Sequence, residues 1–310
     1  ADCGSRAVMI RAISWTELLA SKPESAERFS ATLRAGLWMV GTLFSFAVMA
    51  VCGRELAGEL TTFQILFWRS LVGFVVIASL LTYFGWGQVR TSSFHVHGIR
   101  SIVHFGGQFG WFYAIGLIPL VEVFALEFTT PIWVVILAAV ILGERLTMAR
   151  LLCVSLGFVG VVVILQPGAG SISIGSLAAL GAAFGYAATH VATRFLAQRD
   201  KPLCILFYMT IIQLPLGLAA SLSDWQWPAL ADWPWLFLVG ITAMTAHYTL
   251  TRAMRLAEAG VVAPMGFMRL PMIAVIGYIF YGEALQIWVG LGAVLICAGI
   301  VLNVRDAERH

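Results

Sequence analysis

The sequence predicts an all-α membrane protein with ten transmembrane helices, arranged as two inverted five-helix repeats with both termini in the cytoplasm. Hydrophobic residues make up 60% of the 310 residues, and charged residues only 11%. Soluble domains carry about 25% charged residues, because their outer layer faces water. A chain this apolar needs lipid around it, so the composition excludes a soluble protein and indicates a polytopic membrane protein.

The predicted helices are stretches of about 20 apolar residues, the length that crosses the hydrocarbon layer once. Ten such stretches occur. They are residues 35–53, 62–84, 98–117, 120–142, 148–166, 173–195, 202–222, 234–253, 260–281 and 286–304. The polar residues 1–33 show no signal-peptide pattern. We expect them to form a cytoplasmic N-terminal segment, with residues 306–310 as a cytoplasmic tail.

The distribution of Lys and Arg predicts the orientation, because these residues concentrate in cytoplasmic connecting segments. With the N-terminus inside, fifteen of them are cytoplasmic and Arg54 alone lies outside. The cytoplasmic set is Arg6, Arg11, Lys22, Arg28, Arg34, Arg90, Arg145, Arg150, Arg194, Arg199, Lys201, Arg252, Arg255, Arg305 and Arg309. We therefore expect a multi-pass protein of a bacterial inner membrane with cytoplasmic N- and C-termini.

Two segments of the chain share the same landmarks, which predicts an internal repeat. Each has a proline, a Gly-Glu pair eleven or twelve residues later, and a glycine sixteen residues after the glutamate. These are Pro131, Gly143-Glu144 and Gly160 in the first segment, and Pro271, Gly282-Glu283 and Gly299 in the second. Five spans per copy place the copies in opposite orientations. We expect the repeats at residues 34–167 and 168–305, an arrangement typical of secondary transporters.

With its Pro…LGE and Pro…YGE segments, its Gly-rich fifth and tenth spans and its ten spans, the chain resembles the drug/metabolite transporter superfamily, EamA type. The resemblance implies that the first four helices of each repeat surround a central cavity, with the fifth and tenth helices as a peripheral scaffold. It implies a secondary transporter that works by alternating access. Similarity to bacterial exporters favours the export of amino acids, including aromatic ones. The alternative is a carrier of another metabolite or of a cationic drug, such as a purine, a nucleoside-like cofactor or a quaternary ammonium.

Other classes of function find little support in the sequence. It has no HExxH zinc motif, no paired acidic motif of the DxxxD kind within a span and no nucleotide-binding loop. We expect no enzyme activity, no cofactor, no metal and no direct use of ATP, with an intramembrane enzyme as a distant alternative. The expected partners are a small-molecule substrate and the lipid bilayer. We expect no nucleic acid, and a monomer or weak homodimer.

Ionisable residues within spans are candidates for function, because each is costly in lipid unless it is paired or faces water. Glu127 and Arg269 lie four and two residues before the matched prolines. Three interpretations are open: a buried ion pair, a clamp for the carboxylate and ammonium of an amino acid, or proton exchange at Glu127. Arg69 is expected to have a structural or gating role, and Arg100 to reach the cytoplasmic interface as an anchor.

Polar and aromatic side chains at helical spacing form stripes on three spans. These are His104, Gln108 and Trp111 in the third span, Tyr186 and His190 in the sixth, and His247 in the eighth. Lipid offers no hydrogen-bond partner, so such stripes face protein or a cavity. They predict either hydrogen bonds between helices or, together with Glu127 and Arg269, the lining of a substrate-binding cavity.

The repeat landmarks themselves predict structural or gating positions. Pro131, Pro271, Gly160 and Gly299 are expected to shape and pack the helices that carry them. The Gly-Glu pairs are expected at helix ends, where their glutamates are solvated or cap a helix.

Overall fold

The computed structural model describes residues 24–56, 59–118, 120–165, 173–272, 275 and 287–309, and all regular structure in these ranges is helical. The α-helices are α1 (Glu24–Leu56), α2 (Thr62–Phe84), α3 (Phe94–Leu117), α4 (Leu120–Glu127), α5 (Thr130–Leu137), α6 (Met148–Leu165), α7 (Ile174–Ala197), α8 (Pro202–Ser221), α9 (Trp233–Leu256), α10 (Ala259–Val262) and α11 (Ile287–Arg309). Shorter elements are the 3₁₀ turns Trp86–Val89, Leu222–Asp224 and Ala263–Met268 and the π-helix Ala138–Leu142.

Several of these helices can cross a membrane by length and composition. Within the described ranges, five meet that criterion, and two further apolar helices are shorter. The five are Ala31–Gly53, Thr62–Phe84, Ile174–Ala197, Pro202–Asp224 and Ile287–Ala307, and the shorter two are Thr130–Leu142 and Met148–Ile164. Large apolar side chains are exposed along the outer faces of the helices, for example Leu37, Tyr83 and Val294. Lipid is the medium that such a surface requires.

The fourth predicted span is not one continuous helix, and the expectation of an unbroken helix over residues 120–142 is wrong. Helix α4 ends at Glu127, α5 begins at Thr130, and the last turn widens into the π-helix Ala138–Leu142. Pro131 is the physical reason for the first break, because it has no N–H to donate to the carbonyl of Glu127. The Thr130 hydroxyl donates to that carbonyl instead, at 2.6 Å.

The ninth span is irregular as well. Its described part begins with α10, continues as the 3₁₀ turn Ala263–Met268 and returns to helix at Arg269. Pro271 is buried in that returning segment. Residues 276–286, which include the predicted Gly282-Glu283 pair, lie outside the described residues. Interrupted helices within a membrane protein are tolerated where they are buried in protein or line a cavity, so both irregular spans point to the interior of the bundle.

The main helix contacts follow a regular scheme. Helix α1 packs on α9 and α3 packs on α7, while α2 pairs with α8 and α6 pairs with α11. Counted as spans, the first contact joins spans one and eight (α1 and α9), and the second joins spans three and six (α3 and α7). If every span is exchanged for its counterpart five positions away in the other half, the first contact becomes the second. The same exchange leaves the last two contacts unchanged. This is the contact pattern that a two-fold relation between the halves requires.

The contact between α6 and α11 depends on glycine. A Cβ at Gly160 would lie 2.7 Å from the carbonyl oxygen of Gly292, and one at Gly292 would lie 2.6 Å from that of Gly160. At Gly299 a Cβ would lie 3.0 Å from the carbonyl oxygen of Cys153. Small residues let two membrane helices approach closely. Gly160 and Gly299 thus both lie in this contact.

Glu144 caps a helix at the end of the bundle predicted to be cytoplasmic. Its carboxylate accepts hydrogen bonds from the backbone N–H groups of Ala259 (2.9 Å) and Gly260 (3.0 Å), at the start of α10. Arg150 lies 3.4 Å from the same carboxylate and also pairs with Glu258. A carboxylate at a helix N-terminus satisfies free donors and the helix dipole. Glu144 therefore joins the end of the fourth span to the start of the ninth.

Candidate functional site

A cavity of about 110 Å³ lies inside the bundle, and we call it the central cavity. Its walls come from α1, α2, α3, α7 and α9 and from the two interrupted spans. All eight residues predicted to bind substrate line it: His104, Gln108, Trp111, Glu127, Tyr186, His190, His247 and Arg269. The structure therefore brings these side chains together around one space. Their role in binding stays a prediction.

Two of the residues predicted to be structural or gating also line the central cavity, namely Arg69 and Pro131. Pro131 lies there because the break that it causes turns the start of α5 toward the interior. Pro271, Gly160 and Gly299 are not among the lining residues. The two glycines instead lie in the α6–α11 contact, and Pro271 is buried close behind Arg269.

Arg69, Gln108 and His104 form one hydrogen-bonded network with Gln213. Arg69 Nη1 donates to Gln108 Oε1 at 3.1 Å and to Gln213 Oε1 at 3.5 Å. The Gln213 amide lies 3.0 Å from His104 Nδ1, and the Gln108 amide 3.4 Å from His104 Nε2. The network joins α2, α3 and α8. The two glutamine amides and the His104 ring hold one another in position, because each forms hydrogen bonds to another member of the network.

Gln213 did not enter the sequence prediction. It is an amide in the apolar helix α8, three residues after Thr210, and both residues are buried on that helix. A buried amide in a membrane helix is itself a signal, since it needs partners on other helices. That signal could have identified Gln213 as an inward-facing residue, although not Arg69 and His104 as its partners.

Glu127 and Arg269 form an ion pair across the two interrupted spans. Arg269 Nη2 lies 2.5 Å from Glu127 Oε1, and each side chain is 13% exposed. The indole N–H of Trp111 donates to the second carboxylate oxygen at 2.7 Å. The Arg269 guanidinium also lies over the rings of Phe128 and Phe124, at 5.1 and 5.6 Å. Of the three open interpretations, the buried ion pair is the one formed in this conformation.

Aromatic rings and imidazoles form a further part of the wall, beside aliphatic, methionine and threonine side chains. His104 and His247 meet edge to face with ring centroids 4.7 Å apart. Phe46 packs on His247 at 5.7 Å, and Tyr186 lies 6.0 Å from His104. Rings of this kind offer flat contact surfaces together with a few fixed hydrogen-bonding atoms. The wall suits a solute that carries a ring.

Arg100 is not the interfacial anchor that the sequence suggested. It is 1% exposed, and its Nε donates to the Thr193 hydroxyl at 2.7 Å. Helix α3 begins at Phe94, so Arg100 lies nearly two turns inside the helix and faces α7. The expectation failed because snorkelling needs a side chain that points outward, whereas Arg100 lies four residues before His104 and shares its inward face.

Comparison with known proteins agrees with this architecture. The sequence profile of the "EamA-like transporter family" matches residues 33–166 and again residues 173–305. A solved crystal structure aligns with a TM-score of 0.75 and 22% identity over 90% of this chain and 98% of its own, which shows the same fold.

Three similar proteins have transport names. The chain is 32% identical to a "Riboflavin transporter" of Brucella anthropi, over 78% of this chain and 88% of the relative. It is 26% identical to an "S-adenosylmethionine uptake transporter" of Rickettsia bellii, with coverage of 88% and 94%. It is 28% identical to the "Pseudopaline exporter CntI" of Pseudomonas aeruginosa, with coverage of 86% and 94%. The chain, a helical membrane protein whose relatives are transporters, belongs to the EamA-like transporter family.

Proposed function

We propose that this protein is a secondary transporter that moves a small ring-bearing organic metabolite through the central cavity by alternating access. The main observation in support of this proposal is the central cavity. It lies between two interrupted spans and is lined by eight polar and aromatic side chains that the sequence pattern had selected. In transporters, substrate sites lie where discontinuous helices of two repeats meet.

The proposed architecture has two inverted five-helix repeats, residues 34–167 and 168–305, in a bacterial inner membrane with both termini in the cytoplasm. Support comes from the contact scheme of the helices and from a family profile that matches the chain twice, over 33–166 and 173–305. The strong bias of Lys and Arg supports the orientation. In alternating access, the outward-open and inward-open conformations would then differ by an exchange of equivalent helix contacts between the two repeats.

For the cargo, we place vitamin-like or cofactor-like metabolites first. The relatives are named for riboflavin, S-adenosylmethionine and pseudopaline, and none of these three is a standard amino acid. A clamp for an amino acid's two charges would also have to separate Glu127 from Arg269, which bind each other. A quaternary ammonium fits less well, because Glu127 is the one carboxylate among the described lining residues and is already paired.

Export of amino acids, including aromatic ones, is the second candidate. Glu127 and Arg269 favour it, because together they offer the two charges that a zwitterion needs once their own pair opens. The direction of transport is a separate proposal: we infer export, while the named relatives include both uptake and export proteins.

The test is flux into proteoliposomes without ATP, with labelled riboflavin, S-adenosylmethionine, tryptophan, leucine, adenine and tetraethylammonium. We expect at least one ring-bearing solute to move. Arg269→Ala should lower that flux tenfold or more, because it leaves Glu127 buried without its cation. Arg255→Ala is the control, since Arg255 is exposed at the end of α9. Movement of no solute, or equal flux in both variants, would contradict the proposal.

A further inference from the structure

Arg69 is a buried cation in the wall of the central cavity, and no carboxylate of the described residues pairs with it. It is 1% exposed, and its described hydrogen bonds go from Nη1 to the neutral amides of Gln108 and Gln213. Its other two donor nitrogens, Nε and Nη2, have no hydrogen-bond partner among the described residues. A buried guanidinium in that condition is costly, because it loses its hydration without a matching charge.

The charges that line the cavity do not balance. Two guanidiniums, those of Arg69 and Arg269, face one carboxylate, that of Glu127. Glu127 is already occupied, since it binds Arg269 through one oxygen and the Trp111 indole through the other. Among the described lining residues the cavity wall therefore carries one positive charge in excess, and that charge is at Arg69.

The geometry of the free nitrogens specifies what can bind them. In arginine, the Nε–H and one Nη2–H point the same way along one edge of the planar guanidinium. This edge matches the two oxygens of a carboxylate in a bidentate pair. The opposite edge is held by Gln108 and Gln213, and Gln213 is itself fixed by the Ser101 carbonyl at 3.0 Å. The fork is thus held in place, and the two nitrogens of its other edge are buried without a hydrogen-bond partner among the described residues.

We propose that Arg69 is the anchor for a carboxylate group of the transported metabolite. The proposal rests on the proposed function and narrows its cargo to ring-bearing carboxylates: the ring contacts the aromatic wall, and the carboxylate takes up the Arg69 fork. It also implies that the empty cavity is energetically unfavourable, because Arg69 is neutralised when the cargo is bound and has no paired carboxylate among the described residues when it is not. A purely structural Arg69, held by its two glutamines, is the alternative that the experiment tests.

The experiment compares two probes of the same ring and size, indole-3-acetate and indole-3-acetamide, which differ in the carboxylate. Binding is measured as the thermal unfolding midpoint of the purified full-length protein at increasing probe concentration. Wild type should bind the acid about tenfold more tightly than the amide, the factor expected of hydrogen bonds to a charged group. Inorganic phosphate at equal ionic strength should give no comparable shift.

Two variants assign the preference to the fork. Arg69→Lys keeps the charge but removes the planar edge, and should reduce the preference for the acid to less than about threefold. Arg100→Lys is the matched control: Arg100 is equally buried on a neighbouring helix but does not line the cavity. It should keep the wild-type preference.

Several results would contradict a carboxylate-binding role of Arg69. Equal midpoints with acid and amide in wild type, including no shift with either, would overturn the proposal without any variant. So would a shift with phosphate as large as with the acid, or a preference that survives in Arg69→Lys. If solutes are transported in proteoliposomes but the acid is not preferred, the role of Arg69 is refuted and the proposed transport function stands. If the acid is preferred but no solute is transported, the transport function is refuted and carboxylate binding at Arg69 stands.

Discussion

Replacing Gly160 by leucine is expected to lower the stability of the folded protein strongly, because it forces α6 away from α11. A Cβ at this position would lie 2.7 Å from the Gly292 carbonyl oxygen and 2.8 Å from Ile296 Cγ1. Backbone cannot move out of the way as a flexible side chain can, so α6 and α11 would have to separate. Overpacking of this kind costs about 1–3 kcal/mol or more. SDS-titrated unfolding of the purified protein measures the loss.

The control for Gly160→Leu is Gly290→Leu. Gly290 lies on α11 as well, but no atom of the described residues lies within 4 Å of the position that its Cβ would take, and the residue is exposed. Its replacement should leave unfolding close to wild type. Similar losses for both variants would show that the glycines matter for a reason other than the α6–α11 contact.

Replacing Glu144 by glutamine is expected to destabilise the start of the ninth span. The carboxylate accepts from two backbone N–H groups of α10 and pairs with Arg150, and its side chain is 8% exposed. Breaking a buried pair costs about 3 kcal/mol at the lower end of its range. The lower end applies because Arg150 keeps Glu258 as a partner. Hydrogen exchange at Ala259 and Gly260 should rise together with the global loss.

Glu59→Gln is the control for Glu144→Gln, because Glu59 is an exposed glutamate that follows α1. It removes the same charge without a buried pair and should change unfolding by less than about 0.5 kcal/mol. If Glu144→Gln behaved in the same way, the capping contact would contribute nothing measurable and the joint between the fourth and ninth spans would need another explanation.

Much of the helical layout could be predicted from the sequence, because the physics of the bilayer is simple at this level. Eight predicted spans each contain or closely match one described helix, from α1 to α11. The breaks in the other two spans were missed. Hydropathy averages over about 20 residues and does not detect a few residues that leave the helix, even though Pro131 stands at the first place and Pro264 in the 3₁₀ turn of the second. Pro131 was read as a landmark of a repeat and not as a break.

The cavity residues were predictable where a pattern repeated along a helix. His104, Gln108 and Trp111 share a face by spacing alone, and lipid on the opposite face leaves the interior as their destination. Arg100 was misread and Gln213 was missed, although each has a polar residue at helical spacing: Arg100 lies four residues before His104, and Gln213 lies three residues after Thr210. Their partners could not be predicted, because the packing of each helix depends on neighbours that are distant in sequence.

The most direct test of transport through the central cavity is flux with Gly266→Phe in proteoliposomes. Gly266 lines the cavity, and no described atom lies within 4 Å of the position that its Cβ would take. A side chain added there therefore starts in open space at the cavity wall, and a phenyl ring would reduce the space of about 110 Å³. Gly106→Phe places the same ring on an exposed face of α3, where no described atom lies within 4 Å either. We predict that Gly266→Phe loses at least about 90% of the flux at an unchanged unfolding midpoint, while Gly106→Phe and Gly266→Ala transport like wild type. Wild-type flux in Gly266→Phe would contradict a route through this cavity.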